Sequence, residues 1–293
     1  MPYHTTINFI KMSNPIAVAE PPTNSQTQTD ENPFTAQAAE ETRKPEQPSL
    51  LSHIRTGKRV RPIMTLLYGA PGIGKSTFAS KSPRPIFIPV ERSIDQLDVE
   101  SFPTPRTFEE FWKQLLTLDT EDHPYQTIVI DTADALEALV WARVCAKKKV
   151  QSIEEPKYGD GYTAARSTWR GLLTQLSDMS ERFNVIILAH AHVKSFTDPT
   201  LTAPYDVWKI KLHDKSADVL REMVDNILFA SMDIELQKNR PADRKGKGVM
   251  SGERIIRTTP ATGYEAKNRF NLPDSMPLEW QALEDAVREF YAK

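Results

Sequence analysis

An apolar run, Met64-Thr-Leu-Leu-Tyr68, passes without a break into Gly69-Ala70-Pro71-Gly72-Ile73-Gly74-Lys75-Ser76-Thr77. No other stretch of the chain restricts its fold as much. A buried strand that ends in Gly-x-x-x-x-Gly-Lys-Ser and then starts a helix is the pattern of backbone wrapped around phosphate. Glycines at 69, 72 and 74 let the chain turn tightly enough to aim successive N–H groups at phosphate oxygens. The helix opening at Lys75 adds the positive end of its dipole to the same anion. The Lys75 ammonium is placed to reach the β- and γ-phosphates, and the Ser76 hydroxyl to join the shell of a Mg²⁺ ion. A glycine-rich turn that merely precedes a lysine needs neither the complete pattern nor the strand before it. Residues 69–77 therefore predict a nucleoside triphosphate site, with ATP and Mg²⁺ as the expected occupants. No Asn-Lys-x-Asp run that would read guanine is present.

The rest of the chain sorts around that site. Pro, Thr, Gln, Asn and Glu dominate residues 20–48, a composition that cannot bury enough apolar surface to offset its ordering entropy. Residues 1–55 are expected to form a disordered N-terminal arm, and residues 56–293 one nucleotide-binding domain. A short apolar patch at residues 7–10 reads either as a docking peptide or as incidental sequence before Met12. The basic run His53-x-Arg55-x-x-Lys58-Arg59-x-Arg61 reads as a solvated lead-in or as a weaker phosphate-backbone contact. With a formal net charge of −2, the protein has no global basic field, so any nucleic acid must be held by a local patch. The single cysteine, Cys145, excludes an intramolecular disulfide and suits a reducing compartment. No apolar run approaches the ~20 residues that span a bilayer, and no signal-peptide segment opens the chain. A cytoplasmic protein with no membrane partner is expected.

From Met64 onward, strand and helix signals alternate, which predicts a mostly parallel sheet with crossover helices in a three-layer α/β fold. Ile86-Phe-Ile-Pro89-Val90 reads as a buried strand that Pro89 marks as an edge or an end, and it finishes on Glu91-Arg92. Thr107-x-x-Glu110 is a capping box ahead of an amphipathic helix. Thr127-Ile-Val-Ile-Asp131 is an apolar strand ending in a carboxylate, the second signal for Mg²⁺. Val185-Ile-Ile-Leu-Ala189 ends in His190-Ala-His192-Val-Lys194, where a polar side chain would lie near the γ-phosphate. No third soft ligand accompanies the two histidines, which argues against a metal site there. A polar loop over residues 195–208 comes next, with Phe196 and Tyr205, and then Lys209, Lys211 and Lys215. Such a loop is suited to ordering on a ligand. Pro156-Lys157-Tyr158-Gly-Asp-Gly161-Tyr162 reads as a loop before a helix at residues 164–183. Its two tyrosines and one lysine suit single-strand contact, and an ordinary solvent loop fits equally well. Residues 238–252 read as a mobile hairpin-like insert, residues 254–258 as a strand, and residues 277–291 as a closing helix.

These signals together resemble a RecA-like P-loop ATPase over about residues 60–285. More narrowly, the chain resembles the phage-encoded single-strand-annealing recombinases built on a trimmed RecA core, within the AAA-type P-loop group. The resemblance rests on the loop from Gly69 to Ser76, the strand ending in Glu91, Asp131, the Lys157–Tyr162 loop, Leu188-Ala-His190 and Ala266-Lys267-Asn-Arg269-Phe-x-Leu-Pro273. It implies a catalytic set of Lys75, Glu91, Asp131 and His190. Glu91 would be the general base on the attacking water, or alternatively a surface carboxylate paired with Arg92. His190 would sense the γ-phosphate, and Ser76 and Asp131 would hold the metal. Single-stranded DNA would meet Lys157, Tyr158, Tyr162, Lys194, Phe196 and Lys211, and Lys267 and Arg269 would be either basic fingers on phosphate or a solvated pair. Annealing or recombination activity, a homo-oligomer and a phage origin in a bacterial host are implied by the same resemblance; the arm lies outside it, and capture of a single-strand-binding protein by the arm is a separate expectation. One departure is the missing Phe-x-x-Ala oligomerisation peptide, since Phe34-Thr-Ala36 has the wrong spacing. Two other readings stand beside it: a P-loop small-molecule kinase, with the 240–254 insert as its lid, and a nucleotide-gated assembly factor for a replication complex.

Overall fold

The computed structural model describes residues 50–197, 203–237 and 247–293. The expected arm lies outside the described residues except for a short 3-10 turn, Leu50–His53. The sheet and the helices that cover it belong to the unit Gly57–Lys293.

Strand β1 (Met64–Gly69) is buried along its whole length and lies inside a nine-stranded sheet. On one side runs β5 (Asn184–Phe196) and on the other β7 (Asn226–Gln237), both parallel to β1. Beyond β5 come β4 (Thr127–Asp131), β2 (Pro85–Pro89) and the short β3 (Glu100–Ser101), again all parallel. The opposite edge is antiparallel, with β8 (Lys247–Arg257) folding back along β7 and β9 (Ser275–Pro277) along β8. The strand that carries Asp131 is therefore not a neighbour of the loop strand, because β5 separates them.

Side chains alternate along β1, as a period of two requires. Met64, Leu66 and Tyr68 pack into one apolar layer with α2 (Phe108–Thr120), α3 (Ala133–Lys148), α4 (Asp160–Met179) and α5 (Asp214–Met223). Leu67 packs into the other, with α1 (Lys75–Ser80) and α6 (Trp280–Ala292). Both faces of the sheet are covered, which is why its inner strands read as unbroken apolar runs. The protein has the three-layer, mostly parallel α/β architecture that the sequence predicts.

Local chemistry sets the element ends. Thr107 Oγ1 accepts from Glu110 N at 3.1 Å, while the Glu110 carboxylate accepts from Arg106 N rather than Thr107 N, so the capping box closes one residue upstream. Pro89 ends β2, and Val90 N donates to Asp131 O just beyond it. The missing donor of Pro89 thus falls where the ladder stops, and β3 is the true edge.

One expectation needs correcting. Residues 195–196 and 205–208 of the expected loop are strand: β5 continues to Phe196 and pairs antiparallel with β6 (Tyr205–Ile210), Val193 lying opposite Trp208, while residues 198–202 lie outside the described residues. Alternating Lys194, Asp206 and Lys209 among β-forming residues had hidden a two-stranded ribbon. Residues 247–252 belong to β8, antiparallel to β7 with Gln237 opposite Lys247, which fits the hairpin-like reading of this stretch; residues 238–246 lie outside the described residues.

Candidate functional site

At the end of β1 the backbone turns through Gly72 (φ 74°) and Gly74 (φ 109°), left-handed conformations that a side chain would strain. Gly69 serves differently. A Cβ on it would stand 2.5 Å from the Ala230 carbonyl oxygen, so this glycine lets β7 pass close beside the loop. Helix α1 has only 6 residues, which leaves the loop amides and Lys75, more than a long helix dipole, to attract an anion.

Lys75 is buried, and its ammonium donates to Gly69 O at 3.2 Å and Ala70 O at 3.1 Å. Burial lowers its pKa, and the charge of Asp131 acts against that. The Ser76 hydroxyl donates to Asp131 Oδ2 at 2.7 Å, and the Ser93 hydroxyl donates to the same oxygen at 2.9 Å. Ser76 and Asp131 come from different strand–helix units and meet because β5 holds β1 and β4 in register. Their hydroxyl and carboxylate oxygens are the hard donors that suit Mg²⁺, an ion that takes few protein ligands and completes its shell with water and phosphate.

The chain leaving β2 presents Glu91, whose N–H donates to Asp131 O at 3.4 Å. Burial raises its pKa, while the nearby His190 pulls it down. His190 ends the part of β5 that runs beside β1, opposite Gly69. Its Nε2 stands 3.8 Å from Glu91 Oε1, and its Nδ1 lies 2.9 Å from Asp134 Oδ2. His190 N also donates to Asp134 Oδ1 at 3.1 Å. Burial alone would raise the Asp134 carboxyl, but the hydrogen bonds from His190 outweigh it and hold that group at about 2. With Nδ1–H directed at Asp134, the ring turns Nε2 toward Glu91.

Together these groups line a cleft of about 310 Å³. Lys75, Ser76, Asp131, Glu91 and His190 all line it. Arg254 of β8 reaches the same cleft over Gly74. Sequence reasoning missed Asp134, Ser93 and Arg254. Asp134 looks like an ordinary acidic residue in a first helical turn, Ser93 carries no pattern of its own, and Arg254 arrives from a distant antiparallel strand.

The residues expected to meet DNA divide into two sets. Lys194, Phe196 and Lys211 come together around the β5–β6 ribbon and the turn after it. There Lys194 pairs with Asp214 at 2.9 Å, Phe196 lies edge-on to Tyr205, and Lys211 stands 3.8 Å from Asp134. Lys209 sits over the Phe196 ring, 5.0 Å from its centroid. Lys157 and Tyr158 are exposed on a 3-10 turn, Lys157–Gly159. Tyr162 is not available as a stacking face. It lies in the first turn of α4, stacked on His213 at 4.2 Å and edge-on to Trp141. Gly161 beside it serves close packing, since a Cβ there would meet Ile153 O at 2.0 Å.

Lys267 and Arg269 sit elsewhere. Lys267 donates to Arg221 O at 2.6 Å and Val224 O at 2.7 Å, closing the C-terminal end of α5. Arg269 pairs with Asp225 at 3.2 Å, and Asp225 also accepts from Met64 N, at the start of β1. These two cations are bound to the end of the sheet opposite Gly69. Neither is a free finger at this chain's own phosphate site, and Arg269 remains exposed beside its ion pair.

Parallel strands that end in a glycine loop, a buried lysine and a serine–aspartate pair define a P-loop nucleotide-binding protein. Residues 61–270 match the AAA domain family, and the chain belongs to that family. Membership carries with it a nucleotide ligand and the magnesium that P-loop proteins use. The chain is also similar to the SPbeta prophage-derived uncharacterized protein YorG of Bacillus subtilis (strain 168). The two are 25% identical over 134 residues, covering 43% of this chain and 40% of that protein. The chain thus matches about two-fifths of the length of this curated relative. No described helix is long and apolar enough to cross a membrane.

Proposed function

We propose that this chain binds and hydrolyses ATP, and that nucleotide state controls its hold on single-stranded DNA during annealing or recombination. One observation carries the reading: Glu91 lines the same cleft as Lys75, Ser76 and Asp131, and His190, 3.8 Å from Glu91, lies on the strand that becomes the exposed ribbon. The loop amides and Lys75 hold the triphosphate, and Ser76 and Asp131 take the metal, which offsets charge on the β- and γ-oxygens. Glu91 accepts a proton from the water that attacks the γ-phosphorus, releasing ADP and phosphate. His190, fixed by Asp134, registers the γ-phosphate. The same β5 strand then leads to Lys194 and Phe196, so movement at the histidine is carried into the ribbon.

Lys194, Phe196, Lys209 and Lys211, with Lys157 and Tyr158 on the neighbouring turn, would supply cations for the backbone and rings for bases. Gly159 lies against Lys215, and Asp214, next to it, pairs with Lys194, so turn and ribbon form one surface. A phage origin accords with the description of the relative. A homo-oligomer, an arm at residues 1–55 that recruits a single-strand-binding protein, and a single domain over residues 56–293 complete the proposal.

The test is ATP turnover with and without single-stranded DNA, for the native protein and for Glu91→Gln. Stimulation by DNA, with turnover lost but ATP binding kept in the variant, is the expected result. Unstimulated turnover that survives Glu91→Gln defeats the proposal.

A further inference from the structure

Behind the phosphate loop, away from Ser76 and Glu91, lies a second cavity of about 410 Å³ that the mechanism leaves unused. Its lining is mainly apolar and aromatic: Trp208, Phe229 and Tyr264 make the rings, and Ala70 and Ile73 of the phosphate loop form one wall. Phe229 and Tyr264 are stacked at 5.2 Å with planes 21° apart, and Trp208 lies 6.1 Å from Phe229. The frame is pinned. Trp208 N donates to Gly263 O at 2.8 Å, and the Tyr68 hydroxyl donates to Glu265 O at 2.6 Å while accepting from Glu265 N at 2.9 Å.

One charged group meets these rings. Arg257 lies over the Tyr264 ring, 5.6 Å from its centroid, and its ion pair with Asp233 is long, at 3.8 Å. Flat apolar walls and a cation beside one of the rings suit a planar heteroaromatic ring joined to an anion. Trp208 belongs to β6, is 40% exposed, and so connects this cavity to the ribbon.

We infer that the cavity takes one unstacked nucleobase of a bound single strand, held among Trp208, Phe229 and Tyr264 with its phosphate toward Arg257. The inference rests on the single-strand reading above. It adds a consequence: base and nucleotide press on opposite sides of the same loop, so each changes the other's affinity by an equal factor.

The experiment measures binding of oligo(dT), and of the same strand made abasic, to the native protein, to Trp208→Ala and to Met232→Trp, which enlarges a further residue of the cavity lining. ATP and tripolyphosphate affinities are measured alongside. The native protein should prefer the intact strand roughly five- to a hundredfold, the range found for one stacked base. Both variants should lose roughly a five- to hundredfold share of that preference, Phe196 and Tyr158 supplying any remainder, while binding the abasic strand as the native protein does. ATP should tighten binding of the intact strand more than of the abasic one.

If the native protein binds both strands equally, the base pocket falls and single-strand binding stands. If it binds neither, the single-strand reading falls and takes the pocket with it. Variants that weaken both strands alike, or leave the preference intact, overturn the pocket. So does a Met232→Trp protein that loses ATP but keeps tripolyphosphate, because the pocket would then hold the base of ATP. A changed oligomeric state in that variant overturns it too, by assigning the cavity to a second copy of the chain.

Discussion

Asp134→Asn removes a charge that the structure ties to His190 by two hydrogen bonds, at 2.9 and 3.1 Å. The carboxyl falls from its ordinary 3.8 to about 2 in the folded protein. At about 1.4 kcal/mol per pH unit, that difference stabilises the fold by roughly 2 kcal/mol. The group is mostly shielded from solvent, so screening takes away little of it. Because the folded value lies below the unfolded one, the stabilisation is fully present above about pH 4 and is lost as pH falls toward about 2. Asparagine can still accept a hydrogen bond, which makes 2 kcal/mol an upper figure. For a domain of this size it corresponds to a fall of about 4–8 °C in melting temperature at neutral pH. The same substitution frees the imidazole to turn, and a ring misplaced by about 1 Å costs up to about a hundredfold in turnover. Thermal melts across pH, paired with ATP turnover, check both effects. The gap in melting temperature should hold from about pH 8 to about pH 5 and narrow only below about pH 4. An Asn variant that melts with the native protein at pH 7 and turns over ATP at the native rate would refute the positioning argument.

Other substitutions probe the same geometry. Glu91→Gln should lower turnover by about 10²–10⁴-fold with ATP affinity kept, as isothermal titration and phosphate release would show. In the native protein the acid limb of the rate profile should lie above the ordinary glutamate range, because the base works only when deprotonated and burial raises its pKa. Gly69→Ala sets a methyl 2.5 Å from Ala230 O and should cost about 1–3 kcal/mol in urea unfolding, whether or not nucleotide is present. Lys267→Met leaves carbonyls at the end of α5 without their donor. It should lower stability by about 1–3 kcal/mol with turnover per folded molecule unchanged, whereas a fall in turnover alone would restore the finger reading.

The phosphate loop, the parallel order of the sheet and the approach of Asp131 to Ser76 were legible because each rests on local pattern: an apolar run, a glycine spacing, a carboxylate at a strand end. What stayed hidden depends on residues brought together from afar. Asp134 acquires its role only when β5 carries His190 beside it. Arg254 reaches the cleft from an antiparallel strand whose pairing with β7 no periodicity announces. Lys267 and Arg269 looked like free cations because their partners, the end of α5 and Asp225, lie more than forty residues earlier. Tyr162 looked available because the two glycines just before it, Gly159 and Gly161, suggested a loop, and Gly161 in fact marks tight packing against Ile153.

The place of β5 between β1 and β4 bears on how the molecule is made. Met64 finds its partner Val185 only after the intervening chain has emerged, and Thr65 waits further for Asn226. Closures over such long separations are slow. During synthesis the earliest part of the core must therefore stand with one flank bare until much later residues leave the ribosome, and the ability to hold a ligand is among the last properties the growing chain acquires.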